Sequence, residues 1–493
     1  MFSAKSATLV LAGLLAVATP FAFAATPGEI VLDPAPAQTP SQPASQAPAQ
    51  IPAAPVQTQA AREIYGPEKP SPNRAIRAAL SRAEREMAQA APEVRVQFKS
   101  VDAFYASRGD APLWVDGGRW TRQAHGVFDR LQAAADDGLD LRAWRVYSLD
   151  DGPENALALG EVALSQAVAA YAFQASGGRV DPSRLSNLVG ARPPIVPAAQ
   201  ALAETAQSYD ADAHLQSYNP QHSGYAMLKA FLAQTRAAVA DGRVAASDAV
   251  GTIRAPGKRQ PSVESDILVN MEFWRWLPRE LGADRIVVNL PEFTARLYRN
   301  DSEAYATRVI IGKPDTPTPL FSNRMEYLIV NPSWYVPQSI IKNEMMGKLN
   351  ALRDQGYDIE YSGGHISIRQ PPGERNALGR IKFIFPNQYA VYMHDTPTRH
   401  LFGSVRRAFS HGCVRVDQPF KFAEEVLGPD HGWSEEKLKK MLGNSERRVS
   451  LPASLPIHMA YFTASVDTAG ELKTFEDLYG YARETKALLG LGG

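Results

Sequence analysis

The sequence holds one cysteine in 493 residues, Cys413. An intramolecular disulfide is therefore excluded, and in an exported protein this thiol is either free or bridged to another chain. No excess charge of either sign is present. The 52 basic residues balance 52 acidic ones, which leaves no electrostatic case for nucleic acid as a partner. There is no Gly-rich phosphate loop and no internal repeat. Ser410 lacks the G-x-S-x-G context of a serine nucleophile. His125, His214 and His222 lack metal-ligand spacing and read as solvated or satisfied side chains. Beyond the first 24 residues, no stretch reads as long and apolar enough to span a membrane.

What is present falls into segments. Residues 1–24 read as an export signal, with Lys5 before an apolar run and Ala22-Phe23-Ala24 as a small-x-small site. Cleavage after Ala24 is expected, and an uncleaved anchor is the alternative. Residues 25–72 are rich in Pro, Ala and Gln and read as a disordered linker, with too little apolar surface to offset the entropy of ordering.

Residues 73–284 follow a mostly helical period, with Asn73 as a candidate cap and Gly138 and Gly177-Gly178 as stops. Trp114, Trp120 and Trp144 read as packing residues. Gly251, Pro256, Gly257 and Pro261 mark a linker over 251–265, followed by an amphipathic helix over 267–277. From residue 285 the period changes to two, and β-branched runs predict an antiparallel sheet or sandwich through residue 466. Residues 337–387 interrupt it and read as an inserted capping subdomain. Residues 467–493 are expected to pack back as a helical tail. The fold class is thus α+β: a mainly β, sandwich-like domain with a capping insertion, joined to a helical scaffold.

The chemistry concentrates in Ser410-His411-Gly412-Cys413, with fifteen residues between His394 and Ser410. A thiol attacks only as its thiolate, and a neighbouring imidazole can take that proton and return it to a leaving amine. Gly412 permits a tight turn, and the amides of Gly412 and Cys413 are candidate oxyanion donors. The plain alternatives are a buried apolar cysteine and a structural histidine. Zinc held by His394, His400, His411 and Cys413 does not match a common ligand spacing.

The run from His394 through Ser410-His411-Gly412-Cys413-Val414-Arg415 resembles the signature of YkuD-type L,D-transpeptidases. Asn270 to Pro278, Val288 to Pro291 and Asn331 to Pro337 are similar to their large Gram-negative YcbB-type subgroup, as is the helical region from Phe104-Tyr105. The resemblance covers roughly residues 95–480. It implies Cys413 as nucleophile and His394 as general base, oriented by the backbone carbonyl of Asp395. Ser410, His411, Gly412 and Arg415 would support the site, and Tyr392, Trp334 and Tyr335 would meet substrate. Arg415 stands where many relatives have asparagine. Only the Pro/Gly segment stands where relatives often carry a peptidoglycan-binding module.

The implied reaction is attack on the diaminopimelate–D-Ala bond of a tetrapeptide stem. D-Ala is released and the acyl group passes to an amine, forming a 3→3 cross-link or exchanging a D-amino acid. No metal or organic cofactor is called for. Peptidoglycan stem peptides are the expected partners, carbapenem β-lactams a ligand class, and the periplasm the expected location. An L,D-carboxypeptidase using water, a non-catalytic wall-binding scaffold and a metal-dependent hydrolase are the rival readings.

Overall fold

The computed structural model describes residues 71–241 and 263–491, apart from positions 91, 145, 147 and 151. The export signal and nearly all of the expected linkers over 25–72 and 251–265 lie outside the described residues.

The first half builds a helical layer from α1 (Pro72–Met87), α2 (Pro92–Ser107), the small hairpin β1 (Val115–Asp116) and β2 (Arg119–Trp120), and α3 (Arg122–Gln132). It continues with α4 (Glu154–Gly177), α5 (Ala198–Gln207), α6 (Ala211–Gln216) and α7 (Ser223–Ala240). Asn73 does not cap α1. Ser71 precedes the helix, Pro72 opens it, and the Asn73 side chain donates to Gly109 O instead. The Thr121 hydroxyl caps α3.

Around α4 pack α1, α2, α3 and α5. By length and composition α4 could cross a bilayer, which corrects the expectation that no such stretch follows the signal. Its apolar residues run all the way round because protein covers every side, the mark of a central core helix. Gly178 at φ +87 turns the chain away at its end.

Helix α8 (Val263–Arg275) joins this layer to a sheet. It is buried almost throughout rather than amphipathic, because both layers pack on it.

The sheet comprises β3 (Arg285–Asn289), β4 (Thr294–Arg299), β5 (Ser302–Gly312) and β6 (Ser322–Val330). The chain then leaves it for β7 (Trp334–Tyr335), a helical run from Gln338 through the turn α9 (Leu349–Asp354), and the hairpin β8 (Asp358–Ser362) and β9 (His365–Gln370). These form a small three-stranded sheet, β7-β9-β8, with its own core of Val336, Ile341, Leu352 and Ile368. The hairpin falls in a stretch read as turns, whereas Gly363 and Gly364, both at positive φ, form the tight connection between two strands.

The chain rejoins the large sheet at β10 (Ile381–Ile384), within the span expected for the insertion. It continues through β11 (Met393–His394), β12 (Ala408–Ser410) and β13 (Val414–Val416) to α10 (Pro419–Leu427), α11 (Glu435–Lys439) and β14 (Arg447–Ala460). The C-terminal segment is not all helix. β15 (Ala464–Val466) pairs with β16 (Leu472–Thr474) before α12 (Tyr481–Leu488).

The nine strands run in the order β12-β5-β13-β11-β10-β6-β14-β3-β4. β5 also pairs with β4, so the sheet closes on itself. It is not purely antiparallel. The pairs β11/β13, β12/β5 and β14/β3 are parallel. Leu297, Ile311, Leu328, Phe383, Met393, Val414 and Phe422 fill the interior. Each such side chain taken from water contributes about 1.5–3 kcal/mol.

Candidate active site

Strand alternation sorts the residues around β11. Met393 pairs with Val414, and both point into the core; His394 pairs with Arg415 across the same parallel ladder. One step back, Val414 N donates to Tyr392 O at 3.1 Å, which brings Tyr392 and Cys413 side by side. Side chains two apart share a face. Tyr392, His394, Cys413 and Arg415 therefore occupy one face of two neighbouring strands. Lys382 of β10 joins them as the other cross-strand partner of His394.

The turn that presents the sulfur is fixed by short polar side chains. Gly412 has φ +110, and a Cβ there would meet nothing nearer than 3.6 Å. Backbone conformation, not space, demands glycine at this position. The buried Ser410 hydroxyl accepts from Gly412 N at 3.2 Å and donates to Cys413 O at 2.5 Å. Thr318 holds the other side, donating to Gly412 O at 2.8 Å. The Gly412 amide is thus committed to Ser410, which corrects its expected part in an oxyanion pair. The Cys413 amide forms no hydrogen bond among the described residues.

His394 is 5% exposed. Its Nδ1 donates to Asp395 O at 2.5 Å in the tautomer this contact requires, so the orienting carbonyl stands where the resemblance implied. Asp395 is held in turn. Its buried carboxylate accepts from Arg380 N at 2.8 Å and Thr396 N at 2.7 Å, and Arg399 reaches both oxygens. Gly379, at φ +62, lies so close that an added Cβ would come within 2.4 Å of Asp395 Cγ.

The electrostatics favour a neutral pair at rest. Burial first, then the charges of Arg415 and Lys382, press the His394 imidazole down to about 3, against the opposing carbonyls of Asp395 and Leu378. Burial pushes the Cys413 thiol up, although part of its surface stays open. Hydrogen bonds from Tyr392 and the charges of Lys382 and Arg415 pull it back. No hydrogen bond joins the His394 ring to the sulfur among the described residues; the Tyr392 hydroxyl is the polar group beside the sulfur. The Tyr392 ring meets that of His394 edge-on at 5.6 Å.

The remaining expected residues divide. The Trp334 side chain lies beside the Tyr392 hydroxyl, so it belongs to the cluster. Tyr335 does not: it is 69% exposed and lies by Arg369 on the outer face of the small sheet. His411 meets Glu344 of the inserted segment at 2.8 Å. The insertion therefore touches the cysteine turn at Glu344. Lys382 and Gly379 were not anticipated. A lone lysine in the apolar run Ile381-Lys382-Phe383-Ile384 was the legible signal for the first. A separate cavity of about 400 Å³, bordered by Trp276, Tyr389 and Tyr461, includes none of these residues.

Residues 283–439 match the family model of the YkuD L,D-transpeptidase catalytic domain, and residues 99–232 match that of the Scaffold domain. A putative L,D-transpeptidase of Haemophilus influenzae is 29% identical over 252 residues, 46% of this chain and 50% of its own. The chain thus spans about half the length of that curated relative. Solved structures with a loose likeness include an L,D-transpeptidase from Mycobacterium smegmatis. It is 16% identical, with 36% of this chain and 58% of that one covered and a TM-score of 0.20. The catalytic domain of the Enterococcus faecium L,D-transpeptidase acylated by ertapenem is 14% identical, with 36% and 98% covered and a TM-score of 0.17.

Proposed function

The chain belongs to the YkuD family of L,D-transpeptidase catalytic domains, in the architecture that adds a Scaffold domain, and on that premise we propose that it is a peptidoglycan L,D-transpeptidase acting through Cys413. The observation that carries this reading is one face on which Cys413, Tyr392 and His394 stand together, with His394 Nδ1 fixed on Asp395 O.

In the proposed reaction, substrate binding excludes water and the Cys413 proton passes to the His394 ring as the sulfur attacks. The carbonyl of the diaminopimelate–D-Ala bond becomes tetrahedral, with the free Cys413 amide as the available backbone donor to its oxygen. The C–N bond breaks, the leaving D-Ala amine takes the proton from His394, and a thioester remains. An acceptor amine then attacks the thioester, loses a proton to the ring and frees the thiol. The inserted segment, resting on the cysteine turn through Glu344 and His411, supports its assignment as the cover that favours amine over water. Carbapenems, strained acyl donors, are proposed to acylate the same sulfur. The signal-like residues 1–24 support work in the periplasm.

The test is incubation with a purified tetrapeptide-stem muropeptide, followed by mass spectrometry. D-Ala loss with a 3→3 dimer is expected. D-Ala loss without dimer or amine exchange would mean a carboxypeptidase, and no loss would mean a non-catalytic protein.

A further inference from the structure

A cation stands on each side of His394. Lys382 is its cross-strand partner on β10 and Arg415 its partner on β13. Both are half-buried, and among the described residues neither forms an ion pair. Lys382 rests its Nζ 3.8 Å from the centre of the Tyr392 ring. Glu446 is the acidic side chain whose charge reaches it, but Glu446 is engaged by the Ser333 amide. Arg415 donates from Nη1 to Thr398 Oγ1 at 3.3 Å, and its Nε is buried without a partner.

Other half-buried arginines are satisfied: Arg296 by Glu292 and Arg130 by Asp137, Arg279 and Arg407 by several backbone carbonyls. A desolvated cation without a counter-ion is costly, and two on one face make a site that an anion completes. Guanidinium geometry suits a carboxylate in particular, with the ammonium as a second point of charge.

We propose that Lys382 and Arg415 form a carboxylate-reading site beside Cys413, which takes the free C-terminal carboxylate of the residue leaving the acyl donor. The proposal rests on the transpeptidase reading above. In a donor that ends one residue past the scissile carbonyl, the carboxylate lies three bonds from the carbon under attack. Two cations next to the sulfur match that short reach, and a donor with a further residue would carry its charge past them. The pair thereby selects a terminal residue for removal. It also links binding to basicity. The two cations hold down the His394 ring, so a bound carboxylate offsets them and raises the ring's affinity for the thiol proton. When the leaving residue departs, its charge goes with it.

The test compares two donors, one ending in D-Ala and the other in D-alaninamide, by the release of the terminal residue. Wild type is expected to use the amide at least tenfold less well in kcat/KM, mainly through KM. Lys382→Met and Arg415→Met are expected to bring the acid-to-amide ratio close to one by raising KM for the acid, while Lys382→Arg keeps most of the preference. Equal use of the two donors by wild type would overturn the carboxylate site and leave the transpeptidase reading intact, even if the Met variants fail to fold. Release from neither donor would overturn the transpeptidase reading itself.

Discussion

His394 stands among its neighbours as an uncharged ring. With burial and two cations pressing its proton affinity down to about 3, and burial raising the Cys413 thiol, a resting thiolate–imidazolium pair is disfavoured. Iodoacetamide labelling of Cys413 is therefore expected to rise with a midpoint at or above the ordinary thiol range, near 8.5. Removing Lys382 should shift that midpoint higher, since its charge lowers the thiol. A pH-independent plateau from about pH 6 would indicate a preformed ion pair. Gly379→Ala tests the support behind the ring. The new Cβ would strike Asp395 in a left-handed backbone, and a loss of about 2–4 kcal/mol is expected in urea unfolding. The residues with chemistry of their own, Cys413 and His394, were legible in the sequence because reactive side chains and a short motif leave local marks. Lys382 and Gly379 were not singled out. Their roles depend on which strands lie side by side, and β10, β11 and β13 become neighbours only through folding.

Among the elements, α4 ends at Gly177-Gly178 as predicted, whereas α3 stops at Gln132, short of Gly138, and pairing partners were not legible. The last strand of the large sheet shows this. It is β14, fourteen residues long, which runs antiparallel to β6 and parallel to β3. Alternation shows a strand's buried face and says nothing of which strand lies beside it. His458 helps fasten β14. Its Nδ1 accepts from Ser322 Oγ at 2.8 Å and its Nε2 donates to Leu281 O at 3.0 Å, so the neutral ring is satisfied on both sides. Burial presses its pKa down to about 4. Like His394, it binds its proton more weakly folded than unfolded. Its stabilising contribution is complete above about pH 6.5 and is lost as pH falls towards 4. Melting temperature should drop across that window, and His458→Gln should flatten the drop. An unchanged profile in the variant would show that other groups govern acid stability.

Across the whole molecule, α8 ties the helical layer to the sheet. Asn270 accepts from Thr463 N at 2.9 Å and Ala464 N at 3.1 Å on the sheet side. Glu272 accepts from Arg179 N at 2.6 Å and Val180 N at 2.8 Å on the helical side. Arg275, fully buried beside Glu272, reaches Asp137 O and the Tyr225 hydroxyl. Glu272→Ala would leave the Arg275 charge without its carboxylate and two amides without an acceptor. A loss of about 3–5 kcal/mol is expected by denaturant titration, with both layers reporting one shifted transition. The sequence marked 267–277 as a helix, but its burial on every side could be read only once two layers were seen to close on it.

The most direct test of the account is intact-protein mass spectrometry during turnover of a tetrapeptide donor. An adduct on Cys413 equal to the donor minus D-Ala is expected, cleared by an added amine and absent from Cys413→Ala. D-Ala release by Cys413→Ala at the wild-type rate would contradict it.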